Sequence, residues 1–206
     1  MSAFEEQPCV GMFGACGDST FRQDLLIPAY EQRGIRYYNP QVGVGEWVPE
    51  FADDEADHVA YDMVQTWPVL DSTYALRTLS ESGFSVASSI RAESPLPKFI
   101  IPMIVETLDP ALDDPVAREA SLGARQLVRA HMAQNTSPNV FVVESLDQML
   151  EASIVLYGVA SQIVDLTRSY NPAYKRFMEG RDERIAFREA MESGRLGPAA
   201  QRIADT

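Results

Sequence analysis

The sequence predicts a doubly wound α/β domain, and two observations carry that expectation. Five short apolar runs alternate with stretches of helical periodicity, the mark of a parallel sheet covered on both faces. The chain has 206 residues, 46% of them apolar, which suits one packed domain with a small appendage.

The first strand is expected at Cys9 to Phe13, ending in Gly14-Ala15-Cys16-Gly17. A helix over Thr20 to Gln32 follows, with Asp18 or Ser19 as N-cap and Gly34 as its stop. Ile35 to Tyr38 form a short second strand, ended by Asn39-Pro40. A loop with Gly43, Gly45 and Trp47 leads to a helix over Glu50 to Tyr61, introduced by Pro49. The third strand is Met63 to Leu70, and its helix starts near Leu79 and runs to about Ala92. Pro95 and Pro97 break the chain before a fourth strand, Phe99 to Val105.

A polar loop, Asp109 to Pro115, precedes a helix over Val116 to Gln134. The fifth strand is Val140 to Val143, and the last helix begins at Ser145 with Met149, Leu150, Ile154, Leu156, Val159 and Ile163 as its apolar set. Five strands connected this way predict a flavodoxin-like five-stranded parallel sheet of order 2-1-3-4-5. Beyond about residue 165 the character changes. Alternating charges such as Arg181-Asp182-Glu183-Arg184, with Phe177, Ile185, Phe187 and Met191 between them, predict a C-terminal helical extension. The expected division is therefore an α/β domain over 1–165 and an extension over 166–206.

A net charge of −13 argues against a nucleic-acid backbone or an anionic membrane as partner. No apolar run approaches membrane-spanning length, and the amino terminus lacks the basic start of a signal peptide. Cys9 and Cys16 are too few for a disulfide framework, so a cytoplasmic setting is expected. His58 and His131 show no metal-ligand spacing, and neither a metal nor a cofactor is expected.

Three segments should converge at the carboxyl edge of the sheet, where such folds place ligands. In Gly14-Ala15-Cys16-Gly17-Asp18-Ser19-Thr20, small residues let a ligand approach the backbone, and helix-start N–H groups can bind an anion or a sugar hydroxyl. No Gly-Lys-Ser/Thr follows, so it is not a Walker loop; a plain tight turn is the competing explanation. In Tyr37-Tyr38-Asn39-Pro40-Gln41, Asn39 and Gln41 can bond a base or sugar, or simply make an Asn-Pro turn.

The third segment is Thr78-Leu79-Ser80-Glu81-Ser82-Gly83-Phe84-Ser85, in which Glu81 is the candidate nucleophile. Acidic neighbours at Asp54, Glu55, Asp57, Asp62 and Asp71 would raise one another's pKa if buried together, which suits shared nucleophile and acid/base work.

In their order and spacing, Phe13 to Arg22, Tyr37 to Val42, Trp67 to Leu70 and Thr78 to Ser85 resemble the nucleoside 2-deoxyribosyltransferase superfamily, in its nucleoside 2-deoxyribosyltransferase-like branch. A looser match joins Ala124 to Ala130 and the strand from Asn139 to Val143, so the likeness spans about residues 8 to 160. The resemblance implies a flavodoxin-like fold and cleavage of the N-glycosidic bond of a nucleoside or nucleotide, without a cofactor. It implies Glu81 as the nucleophile and Glu55 as the acid that orients the sugar and protonates the leaving base, with Asp54 and Asp57 as rivals.

By the same likeness Gly14, Ser19 and Arg22 belong to the loop that holds the sugar's 5′ end, and Ala15, Cys16 and Gly17 are expected as substrate-binding residues of that loop. Asn39 and Gln41 contact base or sugar, and Gly83 belongs to the glutamate's turn. The resemblance further implies a homo-oligomer whose neighbouring subunits complete each pocket. Two departures stand out. Met12 occupies the place of a nucleophile-positioning tyrosine, and the second catalytic aspartate has no clear counterpart beyond Asp71. A nucleotide-binding module with weak or no turnover is therefore the alternative function.

Overall fold

The computed structural model of the chain describes residues 7–14, 19–42, 48–90, 96–170 and Pro172. Four strands, β1 (Val10–Met12), β2 (Tyr37–Tyr38), β3 (Val64–Val69) and β4 (Phe99–Ile104), form one parallel sheet of order β2-β1-β3-β4. Val10 pairs with Tyr37 on one side and Val64 on the other, and Val64 pairs with Phe99. Every residue of β3 and β4 is buried, as central strands covered on both faces require.

The expected fifth strand is not one. Residues 139–143 follow β4 through the single parallel bridge Ile100 to Val140. Ile100 N donates to Asn139 O at 2.8 Å, Phe141 N to Ile100 O at 2.9 Å, and Val143 N to Pro102 O at 3.1 Å. The bond missing from that ladder is the one residue 102 would donate, and a proline has no N–H to give.

The sheet divides the core in two. On one face Val10, Met12, Val64, Ile101 and Met103 pack with Leu26 and with Tyr30 of α1 (Ile27–Gln32), and with Met149, Leu156 and Ala160 of α5 (Leu146–Tyr170). Tyr30 and Ser153 share a buried 2.7 Å hydrogen bond across this layer, and burial pushes the Tyr30 phenol up to about 12. On the other face Phe13, Trp67, Val69, Ile100 and Ile104 meet Leu79 and Val86 of α3 (Leu76–Ile90) and Met132 of α4 (Pro115–Ala133). Val59 of α2 (Pro49–Tyr61) packs there too. The doubly wound layering is thus as expected.

Three boundaries differ in instructive ways. The first helix opens with a π-helical turn, Arg22–Leu26, before α1. Its cap residue is Phe21, which makes no side-chain capping bond, so Ser19 is not the N-cap and Asp18 lies outside the described residues. Gly34, at φ +62°, does end α1. Helix α3 starts at Leu76, three residues earlier than periodicity predicts, after Ala75 at φ +52°.

The sequence shows no bare apolar run of membrane-spanning length, yet α5 is long and apolar enough by length and composition to cross a membrane. Its Met149, Leu156, Ala160 and Val164 are nevertheless core residues. The chain divides into two compact units, Met1–Val164 and Asp165–Thr206. The expected helices beyond Pro172 lie outside the described residues.

Candidate functional site

Helices α2 and α3 flank a cleft of about 660 Å³ above Trp67 of β3, a size that suits a small organic ligand. Most of the lining is apolar: Ala52, Ala56, Val59 and Trp67 with the exposed ring of Phe84. Four charged side chains break this surface, Glu55, Arg77, Glu81 and Lys98. Arg77, Ser80, Glu81 and Phe84 recur at the spacing of one helix face, and this is why α3 presents them together.

Arg77 joins the two carboxylates. Its Nε donates to Glu81 Oε1 at 2.6 Å, and a guanidinium nitrogen lies 4.0 Å from Glu55 Oε2. Glu55 and Glu81 are about one-third exposed, at 32% and 37%, so both reach the cleft from a partly desolvated position. Burial, and next the charge of Glu81, push the Glu55 carboxyl above its ordinary value of 4.5, against the opposing pull of Arg77 and Arg22. The arrangement keeps one carboxyl protonated more readily beside a second one.

At the other end of α2, Lys98 donates to Val59 O at 2.7 Å, and burial lowers its ammonium to about 8. Gln65 Nε2 donates to the same carbonyl at 2.7 Å, so α2 is tied at its carboxyl end by two side chains.

The first loop is built for a close approach. Gly14 has φ +101°, and an added Cβ would lie 2.5 Å from the backbone oxygen of Pro68 in β3. Arg22 is 4% exposed, not a helix surface charge, and donates to Gly14 O at 3.0 Å. Gly14→Ala is expected to cost about 2–4 kcal/mol of stability, because strained backbone and a backbone clash combine. A thermal melt showing no loss would contradict this.

Not every residue expected at the site lines the described cleft. Asn39 Oδ1 accepts from Gln41 N at 3.2 Å and so serves a turn, while Gln41 Oε1 accepts from Gln23 Nε2 at 2.6 Å and ties that turn to the first helix. Gly83 is exposed on α3, two residues from Glu81 and so on nearly the opposite side of the helix. Glu81 itself sits in the second turn of α3, not in its opening turn. Gly14, Ser19 and Arg22 are not cleft-lining residues. Ala15, Cys16 and Gly17 lie outside the described residues. The rival acid Asp54 is exposed and acts on Tyr38, and Met12 is wholly buried in the core.

Sequence reasoning missed three residues. Arg77 was visible as an Arg four places before Glu81, an ordinary helical ion-pair spacing. Lys98 carried no signal. Arg125 is fully buried in α4. It donates to Val105 O at 2.5 Å, Thr73 O at 2.6 Å and Leu70 O at 2.7 Å, and its Nε donates to Ser121 Oγ at 3.1 Å. Ser121 in turn donates to Tyr74 O at 2.7 Å. The pair therefore fixes the ends of β3 and β4 and the loop that delivers α3.

A row of aromatic rings crosses the same side of the sheet. Phe13 stacks on Trp67 at 4.9 Å, and Tyr38 lies 3.5 Å from His58 with the planes 9° apart. Beyond it, His58 Nδ1 is 3.0 Å from Asp62, which is completely buried next to the Cys9 thiol. The sequence held that last grouping only as His58-x-x-x-Asp62 at a helix end. Comparison of the chain with models of known protein families finds no match, and comparison with curated protein sequences finds none either.

Proposed function

We propose that this chain cleaves the N-glycosidic bond of a deoxynucleoside or deoxynucleotide, with Glu81 as nucleophile and Glu55 as acid. The supporting observation is the meeting of these two carboxyls, through Arg77, in one mainly apolar cleft. In this reading the Arg77 bond holds Glu81 Oε1 and orients Oε2 toward C1′. Attack splits a difficult displacement into two steps through an oxocarbenium-like transition state. Protonated Glu55 gives its proton to the leaving base, then as carboxylate takes one from the incoming base or water. Trp67 and Phe84 offer apolar surface to the base. No step requires a metal or a cofactor.

The same reading makes the fold flavodoxin-like, with residues 139–143 in the fifth position, and the protein a cytoplasmic homo-oligomer acting on a small molecule. Val155 and Val159, exposed on α5 at 62% and 39%, provide apolar surface for a subunit contact. Light scattering that returns a monomer would contradict the oligomer.

The test is release of free base from a panel of deoxynucleosides and deoxynucleotides, with and without an acceptor base. Release without acceptor indicates hydrolysis, and exchange that needs one indicates transfer. A second reading, ligand binding without turnover, draws on Met12, whose burial leaves no tyrosine at that place, and on the ion pairing of both carboxylates. It predicts no release above buffer while a panel member still raises the melting temperature.

The pH profile provides a separate check. Because folding raises Glu55, its proton favours the folded state fully below 4.5, and that contribution is lost as pH rises through the elevated value. Activity should fall over the same rise, since the acid form does the protonation. Glu55→Gln should remove that alkaline limb and lower the rate about 100-fold. An unchanged profile in the variant would assign the acid elsewhere.

A further inference from the structure

We propose that Cys9, His58 and Asp62 form a zinc site that pins the end of α2 to β1. Cys9 immediately precedes β1, His58 lies in the last turn of α2, and Asp62 ends that helix just before β3. Parallel pairing of Val10 with Val64 brings the two chain segments side by side. Cys9 Sγ, a His58 ring nitrogen and an Asp62 oxygen all lie within 4.8 Å of one another. His58 Nδ1 stands 3.0 and 3.1 Å from the two Asp62 oxygens, a hydrogen bond in this structure, and a shift of a few tenths of an ångström gives the ~3.3 Å separation of two ligands on one tetrahedral zinc.

Two further observations bear on the fit of these atoms. A Cβ added at Gly11 would run into the Phe13 ring and lie 2.8 Å from Asp62 Oδ2, so only a glycine lets β1 pack against the ring and the carboxylate together. Tyr38 stacks face to face on the His58 ring, 3.5 Å away, and thereby fixes its orientation. The exposures are 4% for Cys9 and, for the side chains, 12% for His58 and 0% for Asp62, so water competes little for the ligands.

The donor set is a thiolate, an imidazole and a carboxylate, a combination that selects zinc over magnesium or calcium. Three protein ligands leave one position for water. Thiolate and carboxylate together neutralise the metal's two charges, so the surrounding Arg36 and Lys98 face a neutral centre. On binding, the Cys9 S–H bond breaks, its proton passes to water, and a sulfur–zinc bond forms with no change in oxidation state. His58 coordinates through Nδ1, which requires its proton on Nε2.

The experiment titrates the metal-stripped, reduced protein with Zn²⁺ and separately with Co²⁺. One zinc per chain should bind and raise the melting temperature, and a chelator should reverse the rise. Cobalt should give an intense thiolate-to-metal charge-transfer band in the near ultraviolet, which only a cysteine ligand produces. Cys16→Ser should keep both signals, whereas Cys9→Ser and Asp62→Asn should each weaken zinc binding at least about 100-fold. The cobalt band on the unmutated chain and on Cys16→Ser keeps the test valid if the Cys9 or Asp62 variants fail to fold. Absence of stoichiometric binding, absence of the band, or its loss in Cys16→Ser alone would overturn the site. Base release by Glu81 and Glu55 is a separate readout, and either proposal can fail without the other.

Discussion

Glu81→Gln is expected to reduce base release by at least about 1,000-fold while leaving the fold intact. The amide keeps the size of the carboxylate but cannot form the glycosyl ester, so the two-step path closes. Glu81 is 37% exposed and its partner Arg77 is 79% exposed, so breaking their 2.6 Å ion pair should change stability by less than about 1 kcal/mol. A large loss of activity with an unchanged melting temperature therefore separates chemistry from structure. An active Glu81→Gln would remove the nucleophile from the account. Arg77→Met makes a useful companion, because it releases both carboxylates at once and should disturb activity through orientation.

The second large effect concerns stability. Arg125→Met should cost about 3–5 kcal/mol, since it strips the buried guanidinium from a set of partly buried carbonyls. Leu70 O, Thr73 O and Val105 O would each lose a charge-assisted partner at the ends of β3 and β4. For a chain of this length the melting temperature should drop by roughly 10 °C. Activity should fall as well, although Arg125 does not line the cleft, because the loop at 70–75 sets where α3 begins and so where Glu81 stands. Arg125→Lys should recover only part of this, as one ammonium cannot span the same carbonyls. A melting temperature within a degree of the unmutated protein would contradict the role given to Arg125.

Much of the fold was legible because burial on both faces of a parallel sheet leaves unbroken apolar runs. Phe99–Ile104 reads that way, Val64–Val69 is apolar apart from the buried Gln65 and Thr66, and both are strands. Val140 to Val143 read the same way, but strand status depends on bonds to a neighbour, and Pro102 in that neighbour withholds one. The start of α3 was placed late because no Ser, Thr, Asp or Asn immediately precedes Leu76 to mark a cap; the turn into the helix is made by Ala75 at φ +52°.

Glu81 and Glu55 could be singled out as acidic candidates from the sequence, and both line the cleft. What could not be read is which residues meet across α2 and α3. Gly83 was expected at the site from adjacency in the sequence, yet helical rotation carries it away from the cleft. Asn39 is polar for the sake of its own turn, and the Gln41 side chain bonds that of Gln23. Arg125 has no sequence signal that separates it from a solvated helix arginine, since its acceptors come from segments distant along the chain. The grouping of Cys9 with His58 and Asp62 likewise depends on strand pairing.

The most direct measurement is intact mass spectrometry of protein quenched by acid during turnover of a deoxynucleoside or deoxynucleotide. The account predicts one added sugar unit, mapped by peptide digestion to Glu81 and missing from Glu81→Gln. Base release with no adduct on Glu81, undiminished in Glu81→Gln, would contradict it.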